Sequence, residues 1–263
     1  MEIFVIANQK GGVGKTTTTL NLGAGIAKKG KKVLLIDLDP QANLSSGIGF
    51  TQQFDKESWN TEQQAPYKNI YDVIINSTPI RSVFVSTSTP NLFLVPSHLS
   101  LAGAEIEMVS MISRETLLKK ALAEVNDDFD AVIIDCPPSL GLLTINALSA
   151  AENLVIPIQC EYFALEGLGQ LINTMKLIKG VNPDLKLGGV ILTMFDSRTR
   201  LSSNVVKDVR DFFKELAFDS IVPRNVRLSE APSYGKTIFQ YDRKSSGAIA
   251  YNNLAKEFIN RFL

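Results

Sequence analysis

Two lysines, three glycines and a threonine stand together in Lys10-Gly11-Gly12-Val13-Gly14-Lys15-Thr16. The string meets the phosphate-loop pattern G-x-x-x-x-G-K-[ST] only in its last three residues, because Gln9 stands where the first glycine belongs. The chemistry survives that departure. Glycines let successive backbone N–H groups turn inward around an anion without a Cβ penalty. Lys15 would rest on the β- and γ-phosphates as a point charge, Thr16 would offer its hydroxyl to Mg²⁺, and Thr17 joins them in the nucleotide-binding set. These residues need a strand before them and a helix after. Residues 3–7 are apolar and rich in β-branched side chains, which predicts a strand buried on both faces. The segment from Thr16 onward predicts a helix whose positive end faces the same phosphates.

A nucleotide bound with Mg²⁺ also needs a carboxylate near the metal. Asp135 closes the apolar run 130–135 and is placed for that role. Pro137-Pro138 follow it and stiffen the loop leaving the strand. No Gln or Glu comes next to orient a water. Asp37 and Asp39, at the mouth of a second apolar run (32–38), are the remaining candidates. Two readings stay open for this pair: chemistry at the phosphates, or capping of a following helix near Ser45.

The 263 residues can bury the core of a single α/β domain spanning 1–263. Hydrophobic content of 45% and charged content of 21% are ordinary for a globular chain. No apolar run approaches the ~20 residues of a membrane span, and the first residues read as a strand rather than a signal peptide, so a cytoplasmic location is expected. Cys136 and Cys160 form no C-x-x-C pair, which argues against a disulfide framework, a zinc site or an iron–sulfur cluster. Net charge is zero, so any DNA-binding surface must concentrate its cations on one face.

Strand and helix patterns alternate, predicting a mostly parallel sheet flanked by helices. Strands are expected over 3–7, 32–38, 91–95, 130–135, 153–158, 187–194 and 220–223. Helices are expected over 99–111, 114–125, 142–151, 165–179, 201–216, 225–231 and 246–262, besides the one after the loop. Residues 51–69, Gln-rich with Pro66 and Trp59, read as a polar surface insertion. His98 gains no role from the sequence.

The string KGGVGKT resembles the deviant P-loop of the ParA/MinD family of ATPases, and the likeness runs from residue 3 to about residue 255. It includes ANQKGGVGKTTT, DLDPQ, IIDCPPSLG, QCEYFALEG and IPRNVRLSEAPSYGK, and is best described as a resemblance to the ParA/Soj family. The resemblance implies a P-loop NTPase fold binding ATP and Mg²⁺, with a homodimer closing around ATP as Lys10 reaches the partner's phosphates. It implies that Asp39 orients the attacking water, with Asp37 nearer the magnesium, and that Pro223 and Asn225 meet adenine. Intrinsic hydrolysis is expected to be weak and raised by a ParB-type protein. The ATP-bound dimer would hold double-stranded DNA without sequence preference and associate with the nucleoid. Candidate contacts are Arg198, Arg200, Arg224, Arg227, Lys236, Arg243 and Lys244, with Arg227 and Arg198 the preferred pair. The chain begins close to its first strand, so the resemblance does not extend to the N-terminal DNA-binding part of some plasmid relatives.

A competing expectation is a MinD-like, membrane-associated positioning ATPase, which needs an amphipathic terminal helix with an exposed apolar face. The charges of 246–263 are mixed, and its apolar side is expected to pack on the sheet instead. A metallocluster ATPase would need more cysteines than the chain has.

Overall fold

The apolar runs become one sheet. Its strands are β1 (Glu2–Ile6), β2 (Val33–Asp37), β3 (Val85–Ser86), β4 (Leu92–Val95), β5 (Ala131–Asp135), β6 (Asn153–Gln159), β7 (Lys186–Phe195) and β8 (Ala217–Pro223). They lie in the order β3-β4-β2-β5-β1-β6-β7-β8, and only β3 runs antiparallel to its neighbour among the described residues. The computed structural model describes residues 1–51, 67–161 and 168–263. Most of the insertion expected at 51–69 therefore lies outside the described residues, as do most of QCEYFALEG and the start of the helix expected over 165–179.

Alternation along β2 shows how the sheet is covered on both sides. Leu34 and Ile36 enter one core, Val33 and Leu35 the other, and all four are fully buried. Each such side chain contributes about 1.5–3 kcal/mol of transfer free energy. The first core is closed by α3 (Ile70–Ile74), α4 (Leu101–Met108), α5 (Leu117–Leu122), α6 (Leu142–Ala150) and α7 (Leu168–Ile178). The second lies beneath α1 (Lys15–Ala27) and the terminal helix α11 (Ser246–Phe262). Gly25 lets α1 and α11 approach closely, since a Cβ there would lie 2.8 Å from the Ala255 side chain. The expected packing of α11 is observed: Tyr251, Leu254 and Phe258 are fully buried.

The helix entertained near Ser45 is present as α2 (Asn43–Gly47), whereas two short elements have no counterpart in the sequence reading: β3 and α10 (Ile238–Tyr241). Each is too short to show a period. The remaining helices are α8 (Arg200–Phe213) and α9 (Val226–Glu230). Strand β8 starts at Ala217, earlier than the expected 220. Phe218 packs over Gly189 of β7, where a Cβ would come within 2.6 Å of its ring.

β5 lies between β1 and β2, pairing Ile6 with Asp135 and Asp37 with Asp135. Three central strands thus end level, and the loops leaving their carboxyl ends surround one crevice, where ligands bind in open parallel sheets.

Candidate functional site

The turn from β1 into α1 is held from several sides. The Asn8 side chain donates to the Pro157 carbonyl at 2.8 Å and accepts the Lys10 N–H at 3.0 Å. Thr193, near the end of β7, donates its hydroxyl to the Val13 carbonyl at 2.8 Å. Gly12 and Gly14 have φ of 74° and 90°, the left-handed region where a Cβ is penalised. Gly14 is the N-cap of α1 and has no side chain to cap it, so the first N–H groups of the helix are left for a ligand.

An open cleft of about 640 Å³ lies over this turn, lined by Gly11, Gly12, Gly14, Lys15, Thr16 and Thr17. Asp39 and Gln41 form one wall, Pro138 another. Lys15 is only 8% exposed, and its ammonium donates to the Lys10 carbonyl at 3.3 Å across the loop. Burial lowers its pKa, opposed chiefly by the Asp135 carboxylate.

Asp135 is fully buried. One of its oxygens accepts the Thr19 hydroxyl at 3.2 Å; the other has no hydrogen-bond partner. Burial, with the Asp37 carboxylate alongside, pushes its carboxyl up to about 8, against the hydroxyls of Thr16 and Thr19. An orphaned carboxylate oxygen at a buried position is the condition a cation relieves. No cluster of three acidic, His or Cys ligands exists among the described residues. That suits Mg²⁺, which binds through one or two protein groups and completes its shell with phosphate oxygens and waters.

The two aspartates after β2 divide. Asp37 is fully buried and its oxygens are engaged: one accepts the Ser45 N–H (2.8 Å) and hydroxyl (2.7 Å), the other the Asp39 N–H (3.2 Å). These are the hydrogen bonds that the capping alternative calls for. Burial pushes its carboxyl up to about 6 despite them. Asp39 is half-buried at the cleft wall, with one oxygen taking the Gln41 N–H at 2.9 Å.

A second hollow of about 260 Å³ joins the cleft at Gly14, Thr17 and Met194 and reaches Pro223, Asn225 and Tyr251. The Asn225 oxygen accepts the Arg227 N–H at 2.8 Å, capping α9, and its NH₂ donates to Ser246 at 2.6 Å. One N–H and one lone pair of the amide stay available for a ligand.

Lys10 lines a neighbouring groove instead, with Arg198 and Arg224. The cationic candidates are exposed, and several are already paired. Arg198 makes a two-pronged contact with Asp196 (2.9 and 2.7 Å), Arg224 meets Glu161 at 3.0 Å, and Arg227 meets Glu230 at 2.9 Å. Arg200 opens α8, while Lys236, Arg243 and Lys244 lie on exposed turns.

Sequence reading missed Thr19, Met194 and Tyr251. Thr19 is one helical turn beyond Lys15, a spacing that signals a shared face. Tyr251 bonds the Thr18 hydroxyl at 3.1 Å from the far end of the chain, which no local pattern reveals.

A protein-family profile described as an AAA domain matches residues 1–187. The sporulation initiation inhibitor protein Soj of Bacillus subtilis (strain 168) is 51% identical over 257 residues, covering 97% of each chain. The chromosome-partitioning ATPase Soj of Treponema pallidum (strain Nichols) is 48% identical over 259 residues, 98% of this chain and 97% of its own. Among solved structures, the cobyrinic acid a,c-diamide synthase of Mycobacterium smegmatis, crystallised with ADP and magnesium, is 38% identical with a TM-score of 0.80. That match covers 97% of this chain and 93% of the other.

Proposed function

The chain belongs to the ParA/Soj family of chromosome-partitioning ATPases, and from that premise we propose that it is an ATP-driven DNA-binding switch. With ATP and Mg²⁺ it pairs with a second copy of itself and holds double-stranded DNA without sequence preference. It lets go when a ParB-type partner speeds an otherwise slow hydrolysis. The observation that carries the nucleotide part is Asp135, fully buried with one oxygen unpartnered beside the phosphate loop.

Thr16 and Asp135 would hold magnesium. When bound, the ion supplies charge neutralisation at the phosphate oxygens. Lys15 and the N–H groups of the Gly11–Gly14 turn hold the phosphates, and Asp39 orients the attacking water from the cleft wall. Asp37 acts one step back by fixing the turn that carries Asp39. Pro223 and Asn225 receive the base. Lys10, facing the adjacent groove, serves the partner's nucleotide, and Arg198 and Arg227 lead the DNA contacts. Phosphate contacts of this kind weaken steeply with salt.

Among the described residues no helix is long and apolar enough to cross a membrane. The apolar side of α11, which a MinD-like switch would lay on lipid, is committed to the core through Tyr251, Leu254 and Phe258. This favours the DNA reading. The test is ATP turnover and molecular mass with and without DNA and a ParB-type protein, plus co-sedimentation with DNA or anionic vesicles. ATP-dependent dimers retained on DNA are expected. A permanent monomer, or retention on vesicles alone, would sink the reading. A Lys10→Ala protein that still pairs and binds DNA as the parent does would remove the crosswise role of that lysine.

A further inference from the structure

The loop between Asp135 and α6 is anchored at its far end by a residue from another helix. Helix α6 has Gly141 as its N-cap, so the cap itself supplies no side chain to the first N–H groups. Glu105 of α4 does so instead, its carboxylate accepting the Leu143 N–H at 3.3 Å. The Gly141 backbone is extended, with φ −85° and ψ −171°, a conformation open to any residue. A side chain there would have to push the flexible Glu105 carboxylate off the Leu143 N–H. A Cβ on Gly141 would collide with the Glu105 Oε1 and lie 2.7 Å from its Cδ. The glycine is a notch for Glu105.

This notch closes a loop that Pro137-Pro138 stiffen and that buried Cys136 and partly buried Leu140 pin to the core at either end, but that has few other hydrogen bonds. Among the described residues, the N–H groups of Ser139 and Leu140 reach no backbone carbonyl. The Thr144 hydroxyl holds the Ser139 carbonyl at 2.7 Å, again at the α6 end. At its other end the loop continues from Asp135, and its middle residue Pro138 lines the phosphate cleft.

We propose that Glu105 is a positioning residue for ATP hydrolysis, capping α6 through the Gly141 notch and so setting the loop that carries Pro138 away from Asp135. The inference rests on the cleft being the site of ATP hydrolysis. Glu105 touches neither cleft nor nucleotide and acts through the loop alone. Its loss should slow the chemical step while leaving nucleotide affinity, which the glycine turn and Lys15 supply, where it was.

The test compares Glu105→Ala, Glu105→Gln, Gly141→Ala and the double Glu105→Ala/Gly141→Ala variants, reading kcat, ATP affinity and Tm. Glu105→Ala and Gly141→Ala should each lower kcat about fivefold, the population shift expected from losing one helix cap, with ATP affinity unchanged. Glu105→Gln should stay near the parent, because its amide oxygen still accepts the Leu143 N–H. The double variant should be no worse than either single, since the added methyl then occupies vacated space. Should Glu105→Ala fail to fold, the parent, Glu105→Gln and Gly141→Ala carry the comparison. Unchanged kcat with lowered Tm, parallel losses of kcat and affinity, or a double variant that multiplies the two losses would each overturn the proposal. A parent without turnover would remove the ATPase reading and this inference with it; an active parent with unaffected variants removes this inference alone.

Discussion

The phosphate cleft and the arginine-bearing rim treat charge in opposite ways. In the cleft, Lys15 and Asp135 are buried, and one Asp135 oxygen has no partner. On the rim, Arg198, Arg224 and Arg227 are exposed, and each has a carboxylate at hydrogen-bond distance. Burial makes an unpaired charge costly, so the cleft is poised for a specific ligand of complementary charge. Exposed ion pairs are worth about 0–1 kcal/mol, so the rim can exchange its own carboxylates for phosphates at little cost. A buried carboxyl oxygen without a partner marks a ligand site strongly; a solvated arginine marks one weakly.

Four experiments sharpen or break this contrast. Removing the buried cation has the largest expected effect: Lys15→Ala should weaken ATP binding by about 10²-fold or more, read by calorimetry. An affinity within a few-fold of the parent would show that the glycine turn alone holds the phosphates. Next, Asp39→Ala should retain ATP binding and dimers while turnover falls by about 10²-fold in a phosphate-release assay. Wild-type turnover would remove Asp39 from the reaction.

Third, Mg²⁺ affinity should depend on pH. The Asp135 carboxyl is pushed up to about 8, so below that pH its proton competes with the metal and above it the carboxylate is free. Apparent affinity for Mg²⁺ in the presence of ATP should therefore fall by up to about tenfold per pH unit below 8, and level off above it. A flat profile across that range would place the ion elsewhere. Smallest of all are the rim effects. Arg198→Ala and Arg227→Ala should each weaken DNA binding and reduce the salt slope by about one. Asp196→Asn, which frees Arg198 from its carboxylate, should tighten DNA binding only about two- to threefold. A large gain would mean that the rim is held shut by its ion pairs.

How much of this was legible in the sequence follows the same division. Glycine identity and the Lys-Thr pair mark the phosphate turn, because few other residues tolerate that backbone. β-Branched runs mark the central strands. Asp37 shows where such reading stops. Aspartate after a strand suits either a metal or a cap, and the fold, by bringing the Ser45 N–H and hydroxyl onto one of its oxygens, supplies the contact that a cap needs. Glu105 is less visible still. Its acceptor role depends on Gly141, 36 residues away, and a glycine in a Pro- and Ser-containing loop reads as a simple turn. The rim is legible in part: Asp196 and Glu230 stand two and three residues from Arg198 and Arg227, whereas the fold alone brings Glu161 to Arg224.

β1 precedes both of its neighbours in the chain and sits in the middle of the sheet between β5 and β6. Translation at about 5–20 residues per second must therefore run for on the order of ten seconds before either neighbour is available. Until then a ribosome carries an apolar strand with two open edges, an invitation to wrong partners. A strand made well before its partners is thus among the last to be paired, and a pause in elongation between β1 and Ala131 would prolong its exposure to chaperones and to aggregation.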